Sequence, residues 1–374
     1  ANFGLYAAAP EKAKMLAAIA TGLFILPYFL FSALAGQIAD SMDKARLIRW
    51  IKAAEVAIMI GALAGFWWQS VPALLASLFA MGLHSTLFGP VKYSILPQHL
   101  REDEIMGGTG LIEGGTFLAI LGGQLLAGVI SAHATGLVLM GLAIAGYVTS
   151  LAVPSAPAQR HDPIDWNIAK GTLEILGIAR QVRGVWLAIL GTSWFFAVGA
   201  VLVSEFAPLV SGTLAARQEV ATIFLIVFSL AVAAGAMVVN LLQKGEVSAR
   251  YVPLSALGLA VGLIGLWLAT RGFQVEVAGA TLAQFLATAG ALPILLCLGV
   301  IAFCGGMFIV PLYAVIQVKS PEGECSRIIA ANNIVNAAVT VLAVLAVTGL
   351  LAIGIDVPGL IGVLGFATLA VALL

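Results

Sequence analysis

The stretch GQIADSMDKARLIRWIK, residues 36–52, decides the fold. It gathers Asp40, Asp43, Lys44, Arg46, Arg49 and Lys52 into a short basic turn with a long apolar run on each side. A turn that concentrates charge between two segments of membrane-spanning length belongs to a polytopic membrane protein. Its Lys and Arg residues help set which way the chain faces.

The same reading holds outward from that turn. The 374 residues are 61% hydrophobic and only 10% charged, with a mean hydropathy of +1.08, whereas a soluble domain carries about 25% charged residues. So few charges cannot clothe a surface in polar groups, so lipid is much of the solvent. The apolar runs are near the roughly 20 residues a spanning helix needs and lack the alternation of a barrel. The fold class is therefore an all-α polytopic membrane protein. A net charge of zero gives no argument for nucleic acid as a partner. Cys297, Cys304 and Cys325 form neither a disulfide framework nor a zinc spacing; two read as small core residues and Cys325 as a loop thiol. His84, His99, His133 and His161 are scattered without metal-ligand spacing, and no Gly-rich phosphate loop is present. No metal, no cofactor and no direct ATP drive are expected. No signal-peptide pattern precedes the first apolar run.

Apolar runs separated by charged or Pro-rich breaks give eleven expected spans, near 14–39, 47–68, 72–89, 107–131, 134–153, 186–210, 217–242, 252–270, 290–318, 327–352 and 357–374. The longest polar stretch, 154–185, begins Pro-rich. It continues with Ile and Leu at helical spacing against Lys170, Glu174, Arg180 and Arg183, the pattern of an amphipathic helix on a membrane surface. The chain thus divides into an N-terminal lobe (1–153), a linker (154–185) and a C-terminal lobe (186–374). If the 36–52 turn is cytoplasmic, only Lys12, Lys14, Arg217 and Arg271 of the 18 basic residues fall on the opposite side, a strong positive-inside bias. This alternation puts residue 1 outside and implies one further helix before it, twelve in all. The halves repeat weakly. KAR at 44–46 aligns with SAR at 248–250, Pro90 with Pro311, and GLIEGGTF at 110–117 with NIVNAAVT at 333–340, which sets Glu113 opposite Asn336.

GQIADSMDKARLI resembles the signature between the second and third helices of the major facilitator superfamily: a Gly, an Asp four residues later, then basic residues. Gly36, Asp40, Lys44 and Arg46 match, while Ser41 and Asp43 depart from the commonest pattern. Within that superfamily, FGPVKYSILPQHL and the following GGTGLIEGGTFLAILGGQLLAG resemble the lysophospholipid transporter family. Its Pro-x-Lys-Tyr-x-Ile-Leu run and Gly-Leu-x-Glu motif fall here on Pro90, Lys92, Tyr93, Ile95, Leu96, Gly110, Leu111 and Glu113. The resemblance implies a two-lobed helical bundle and an inner-membrane flippase, multi-pass with linker and basic loops cytoplasmic. It would bring lysophospholipids, chiefly lysophosphatidylethanolamine, to the cytoplasmic leaflet for reacylation. The implied partners are the lysophospholipid, membrane lipid and an acyltransferase or acyl-activating enzyme, neighbouring or fused beyond residue 374.

On this reading Gly36, Asp40, Lys44 and Arg46 form a conformational latch; the alternative is a topogenic basic loop with solvated charges, since exposed ion pairs give only about 0–1 kcal/mol. Glu113 lies among Gly110, Gly114, Gly115 and Thr116 with no Lys or Arg within ten residues. An unpaired carboxylate at mid-membrane costs roughly 2.5–3.5 kcal/mol on insertion scales. Glu113 would then contact a substrate ammonium, carry a proton, or make an interhelical hydrogen bond. Lys92, beside Tyr93, would meet the lipid phosphate or snorkel to the membrane edge. Asn336, with Asn332 and Asn333, gives the second half a polar face that binds substrate or bonds helices. Glu55, a turn past Lys52, reads as half of a local helix pair, and Glu205 and Gln124 are further intramembrane polar groups. HLREDE at 99–104 resembles a His-plus-acid acyltransferase pair with the Asp one position too close, and reads as a connecting loop. No enzymatic activity is expected in these residues. Two other functions fit the same fold: a proton-coupled exporter of drugs or small solutes, and a non-transporting scaffold for an acyltransferase.

Overall fold

The computed structural model describes residues 10–275 and 278–373, apart from the side chains of residues 10–15, 17, 18 and 128. Residue 1, the side chains of Lys12 and Lys14, and Leu374 at the end of the last expected span lie outside the described residues. Helices form at all eleven expected positions. They are α1 (Pro10–Ser41), α2 (Lys44–Trp67), α3 (Val71–Ser94), α5 (Glu102–Val129), α6 (Ala132–Ser150), α8 (Arg183–Pro208), α9 (Gln218–Gln243), α10 (Val252–Arg271), α12 (Ala291–Lys319), α13 (Cys325–Ala352) and α14 (Val357–Ala372). Short helices α4 (Leu96–His99) and α11 (Leu282–Ala287), the linker helix α7 (Ile168–Gln181) and a π-helical turn at Leu209–Thr213 complete the set. Among the described residues, nine helices are long and apolar enough to cross a membrane. The 16-residue α14 is apolar but shorter, and α2 is not among the nine. The chain is a multi-pass helical membrane protein, as backbone satisfaction in lipid requires.

Local chemistry sets the helix starts. The Asp43 side chain accepts from Arg46 N at 2.8 Å and caps α2, Ser70 caps α3 with Pro72 just inside, and Ser131 caps α6. Each cap satisfies a first-turn N–H that the helix cannot. The chain divides into two compact units. One comprises the chain through His99, Leu126–Trp186 and Lys319–Ala337; the other comprises Leu100–Leu125, Leu187–Val318 and Ala338–Leu374. In the first, α1 packs on α3 and α7, and α2 on α3 and α6. Gly82 of α3 lies against the Phe24 carbonyl, where a Cβ would not fit. In the second, α10 packs on α14. There Gly306 of α12 abuts the Val232 carbonyl of α9, and Gly235 of α9 abuts Phe303 of α12. Apolar side chains gain little from leaving lipid, so such close backbone contacts carry helix association.

The linker helix is amphipathic as read. Gly171, Ile175 and Ala179 form its buried face, while Lys170, Glu174 and Arg180 are exposed. Cys325 is not a loop thiol: it is the first residue of α13 and 8% exposed.

Candidate functional site

An α-helix leaves its first four N–H groups without intrahelical partners and carries partial positive charge at that end. α5 meets this with Glu102, Asp103 and Glu104 in its own first turn. α13 has no acidic residue in its first turn and takes one from α1. Ser326 N and Arg327 N each donate to the Asp40 carboxylate, to Oδ1 and Oδ2, both at 3.2 Å. The Arg327 Nε stands 4.0 Å from Oδ2. Asp40 is fully buried and Arg327 7% exposed. The Ser326 hydroxyl donates to Ser94 Oγ at 2.8 Å, so the ends of α1 and α3 meet the start of α13.

Gly36, one turn before Asp40, makes this approach possible. A Cβ there would stand 2.8 Å from the Arg327 Cα and 2.9 Å from the Ala330 Cβ. Gly36→Val is therefore expected to separate α1 from α13. Overpacking costs about 1–3 kcal/mol, so alkylation of the buried Cys325 should accelerate at least about fivefold. Maleimide labelling with Cys297→Ala and Cys304→Ala in the background checks it.

The basic half of the expected latch divides. Lys44 is fully buried at the start of α2, its Nζ without a hydrogen-bond partner among the described residues and in electrostatic reach of Asp40 and Asp43. Arg46 is not brought to Asp40. It is exposed, its guanidinium 5.6 Å from the centre of the Trp50 ring. The physical reason is the helical register: Asp43 caps α2, which turns position 44 inward and position 46 out.

The linker is stitched over the same turn. The Asp40 carbonyl accepts from Gln159 N and Arg160 N, both at 3.1 Å, and Lys44 N donates to the Ala156 carbonyl at 2.8 Å. The Ser155 hydroxyl donates to Asp43 Oδ2 at 2.5 Å, and Arg49 Nη2 to the Val153 carbonyl at 3.1 Å. Arg160 pairs with Asp162 and with Glu324, just before α13. The Asp162 carboxylate, then Glu324, hold the Arg160 guanidinium above its usual range. Both partners are partly exposed, so a double-mutant cycle of Arg160→Ala and Glu324→Ala on thermal unfolding should return a coupling below about 1 kcal/mol.

The residues expected to meet substrate fall in both units. In the first, Lys92 Nζ lies 4.5 Å from the centre of the Tyr93 ring, with Tyr93 6% exposed. Gly89, one turn earlier, packs against the Asn333 amide, and Asn336 follows on α13, half-buried. In the second unit, Glu113 is 1% exposed on α5. Around it, a Cβ on Gly110 would come within 2.7 Å of the Ala236 carbonyl, and Gly114 lies near Ala233. One turn back, Gln317 Nε2 donates to Thr109 Oγ1 at 3.0 Å. Glu205, 9% exposed, precedes Pro208 and the π-helical turn on α8.

Ser94, Ser326 and His84 escaped the sequence reading. The absence of an acidic residue from the first turn of α13 was the available sign that this helix borrows one. His84 carried no such sign, because its neighbour Glu55, whose Oε2 lies 3.3 Å from His84 Nε2, is on another helix.

The Asp of this basic turn sits on the N-terminus of a later helix. Residues 10–344 match the Major Facilitator Superfamily. The chain belongs to that superfamily. Among relatives, the lysophospholipid transporter LplT of Citrobacter koseri is 27% identical over 356 residues, covering 90% of this chain and 82% of that protein. The LplT of Escherichia fergusonii is 26% identical over 307 residues, covering 80% and 70%. Solved structures share the fold at low identity. The human organic anion transporter MFSD10 (TETRAN) superposes with a TM-score of 0.73 at 12% identity, covering 95% of this chain and 82% of that one. An outward-facing bacterial homologue of the iron transporter ferroportin gives 0.72 at 14% identity, covering 99% and 91%.

Proposed function

We propose that this major facilitator protein is a secondary transporter of lysophospholipids. It brings them from the outer to the cytoplasmic leaflet of the inner membrane by rocking its two lobes, with the linker and basic loops on the cytoplasmic side. One observation carries the substrate class: relatives named lysophospholipid transporter align over four-fifths or more of the chain. Rocking needs a contact that forms in one state and breaks in the other. The Asp40 carboxylate on the start of α13 fits that requirement, being buried, charged and made by backbone N–H groups rather than by flexible side chains. Glu113 serves the ammonium of an ethanolamine head group, Lys92 beside Tyr93 the phosphate, and Asn336 a polar contact from the second half. The chain transports rather than catalyses. Reacylation falls to an acyltransferase partner, and the transporter itself takes no cofactor or metal.

The test is uptake of labelled lysophosphatidylethanolamine by cells lacking their own lysophospholipid uptake and expressing the full-length protein. Accumulation above the empty-vector level supports the assignment. Silence from a well-expressed protein rejects it in favour of solute export or scaffolding.

A further inference from the structure

The linker helix α7 ends at Gln181 and α8 begins at Arg183. Val182 between them has extended backbone (φ −102°, ψ 96°), so the chain makes an elbow there. Arg180 and Arg183 stand on either side of it, both exposed. Lys319, the exposed last residue of α12, joins them: a Cβ on Gly184 would lie 3.8 Å from the Lys319 Cδ. The Arg180 guanidinium lies 4.8 Å from the centre of the half-buried Trp186 ring. All of these residues belong to the first unit.

The helices that carry these cations set their depth. Arg183 opens and Lys319 closes segments long and apolar enough to cross a membrane, Arg183–Thr213 and Ala291–Lys319. The two therefore mark one membrane face, at the level where long cationic side chains reach head groups and Trp concentrates. Leu173 precedes Arg180 by two helical turns and shares its face of α7. Leu173 and Trp166, just before the helix, are each 72% exposed. An apolar side chain beside a cation is how an interfacial helix meets lipid.

The patch lacks the acidic partners that neighbouring surface cations have. Lys170 is taken by Asp165 at 2.7 Å, and Arg160 by Asp162 and Glu324. Among the described residues, Arg180, Arg183 and Lys319 enter no ion pair. α8 has no acidic residue in its first turn. Glu174 and Glu322 are the nearest acids along the chain, six residues before Arg180 and three after Lys319. Positive charge is thus concentrated at one point of the head-group layer, with no carboxylate placed to hold an ammonium.

We propose that Arg180, Arg183 and Lys319, with Trp186, bind the phosphate of an anionic diacyl phospholipid of the phosphatidylglycerol class. The three cations hold the phosphate, Trp186 orients Arg180, and Leu173 and Trp166 lie toward the apolar part of the lipid. A head group bearing an amine finds no acid here, so phosphatidylglycerol is preferred over phosphatidylethanolamine. One cation comes from the linker helix, one from α8 and one from α12, so the bound lipid ties the linker to the starts and ends of two spans. The site stands whether or not the chain carries lysophospholipids.

Native mass spectrometry of the full-length protein, titrated with phosphatidylglycerol, gives the dissociation constant of the first lipid bound. Each Lys or Arg at a membrane surface strengthens the hold on acidic lipid about fivefold. Arg180→Gln, Arg183→Gln and Lys319→Gln together should therefore raise that constant at least about tenfold. Arg180→Lys with Arg183→Lys keeps the charge and should stay within about threefold of wild type. So should the charge-matched control Arg217→Gln, Arg250→Gln and Arg271→Gln. In wild type, phosphatidylethanolamine should bind at least about fivefold more weakly than phosphatidylglycerol, a difference lost in the triple Gln variant. An unchanged constant in that variant, an equal loss in the control, or equal affinity for the two lipids overturns the site. Lysophosphatidylglycerol that outcompetes the diacyl lipid, or inorganic phosphate that displaces it, assigns the cations to a transported or soluble anion and overturns it too. All three side chains are exposed, so each variant should still elute as a single species, which separates lost binding from misfolding.

Discussion

Asp40→Ala is expected to lower uptake of labelled lysophosphatidylethanolamine at least about tenfold at unchanged membrane expression. The substitution leaves Ser326 N and Arg327 N without their acceptor and leaves Lys44 buried beside no carboxylate at that position. Breaking a buried, hydrogen-bonded charge contact costs about 3–5 kcal/mol. Each 1.4 kcal/mol is about tenfold in an equilibrium, so a contact made in one rocked state alone would move the balance between states by well over tenfold. Asp40→Asn is the sharper variant. Its amide keeps one oxygen for one N–H but turns an NH₂ toward a second donor, so it should fall close to Asp40→Ala rather than to wild type. Cys325 labelling in the same variants separates the mechanism from misfolding: the thiol should react faster while the protein still elutes as a single species. Near-normal uptake by Asp40→Asn would reduce Asp40 to part of a topogenic loop.

The positions of all the long helices were legible because membrane spans are written in composition, which a one-dimensional reading captures. The linker helix was legible too, from Ile and Leu at helical spacing against Lys170 and Arg180. The neighbours of a side chain were less so. Asp40 could be singled out from its motif, but not its seat on α13, because Ser326 and Arg327 lie nearly three hundred residues further along the chain. The weak internal repeat did hold part of that answer. It pairs α5 with α13, and α5 carries Glu102, Asp103 and Glu104 where α13 carries none. Arg46 was misplaced for a related reason: the motif gives spacing, whereas the Asp43 cap gives the rotation that turns Lys44 inward. Glu55 and Lys52 were legible as a local pair at helical distance. The third member, His84, was not, since nothing in a single sequence ties one position on α3 to one on α2.

Glu113→Gln is expected to reduce lysophosphatidylethanolamine uptake about 10- to 100-fold, the effect of losing one charge-assisted hydrogen bond of about 1.5–3 kcal/mol. The carboxylate is 1% exposed and lies on a helix whose neighbours at that level are Gly110 and Gly114, packed against the Ala236 and Ala233 backbone. Gln is nearly isosteric and still accepts and donates, so an interhelical hydrogen bond would survive it; a contact that needs negative charge would not. Head-group chemistry makes the distinction finer. If Glu113 meets an ammonium, uptake of lysophosphatidylethanolamine should fall far more than uptake of lysophosphatidylglycerol, which has none. Equal losses for both lipids, restored by no carboxylate elsewhere on α5, would mark Glu113 as part of the helix packing around Thr109 and Gln317. Initial rates for the two lipids, measured side by side in wild type, Glu113→Gln and Glu113→Ala at matched expression, decide between these roles. A substrate role requires Gln to behave like Ala with the ethanolamine lipid alone.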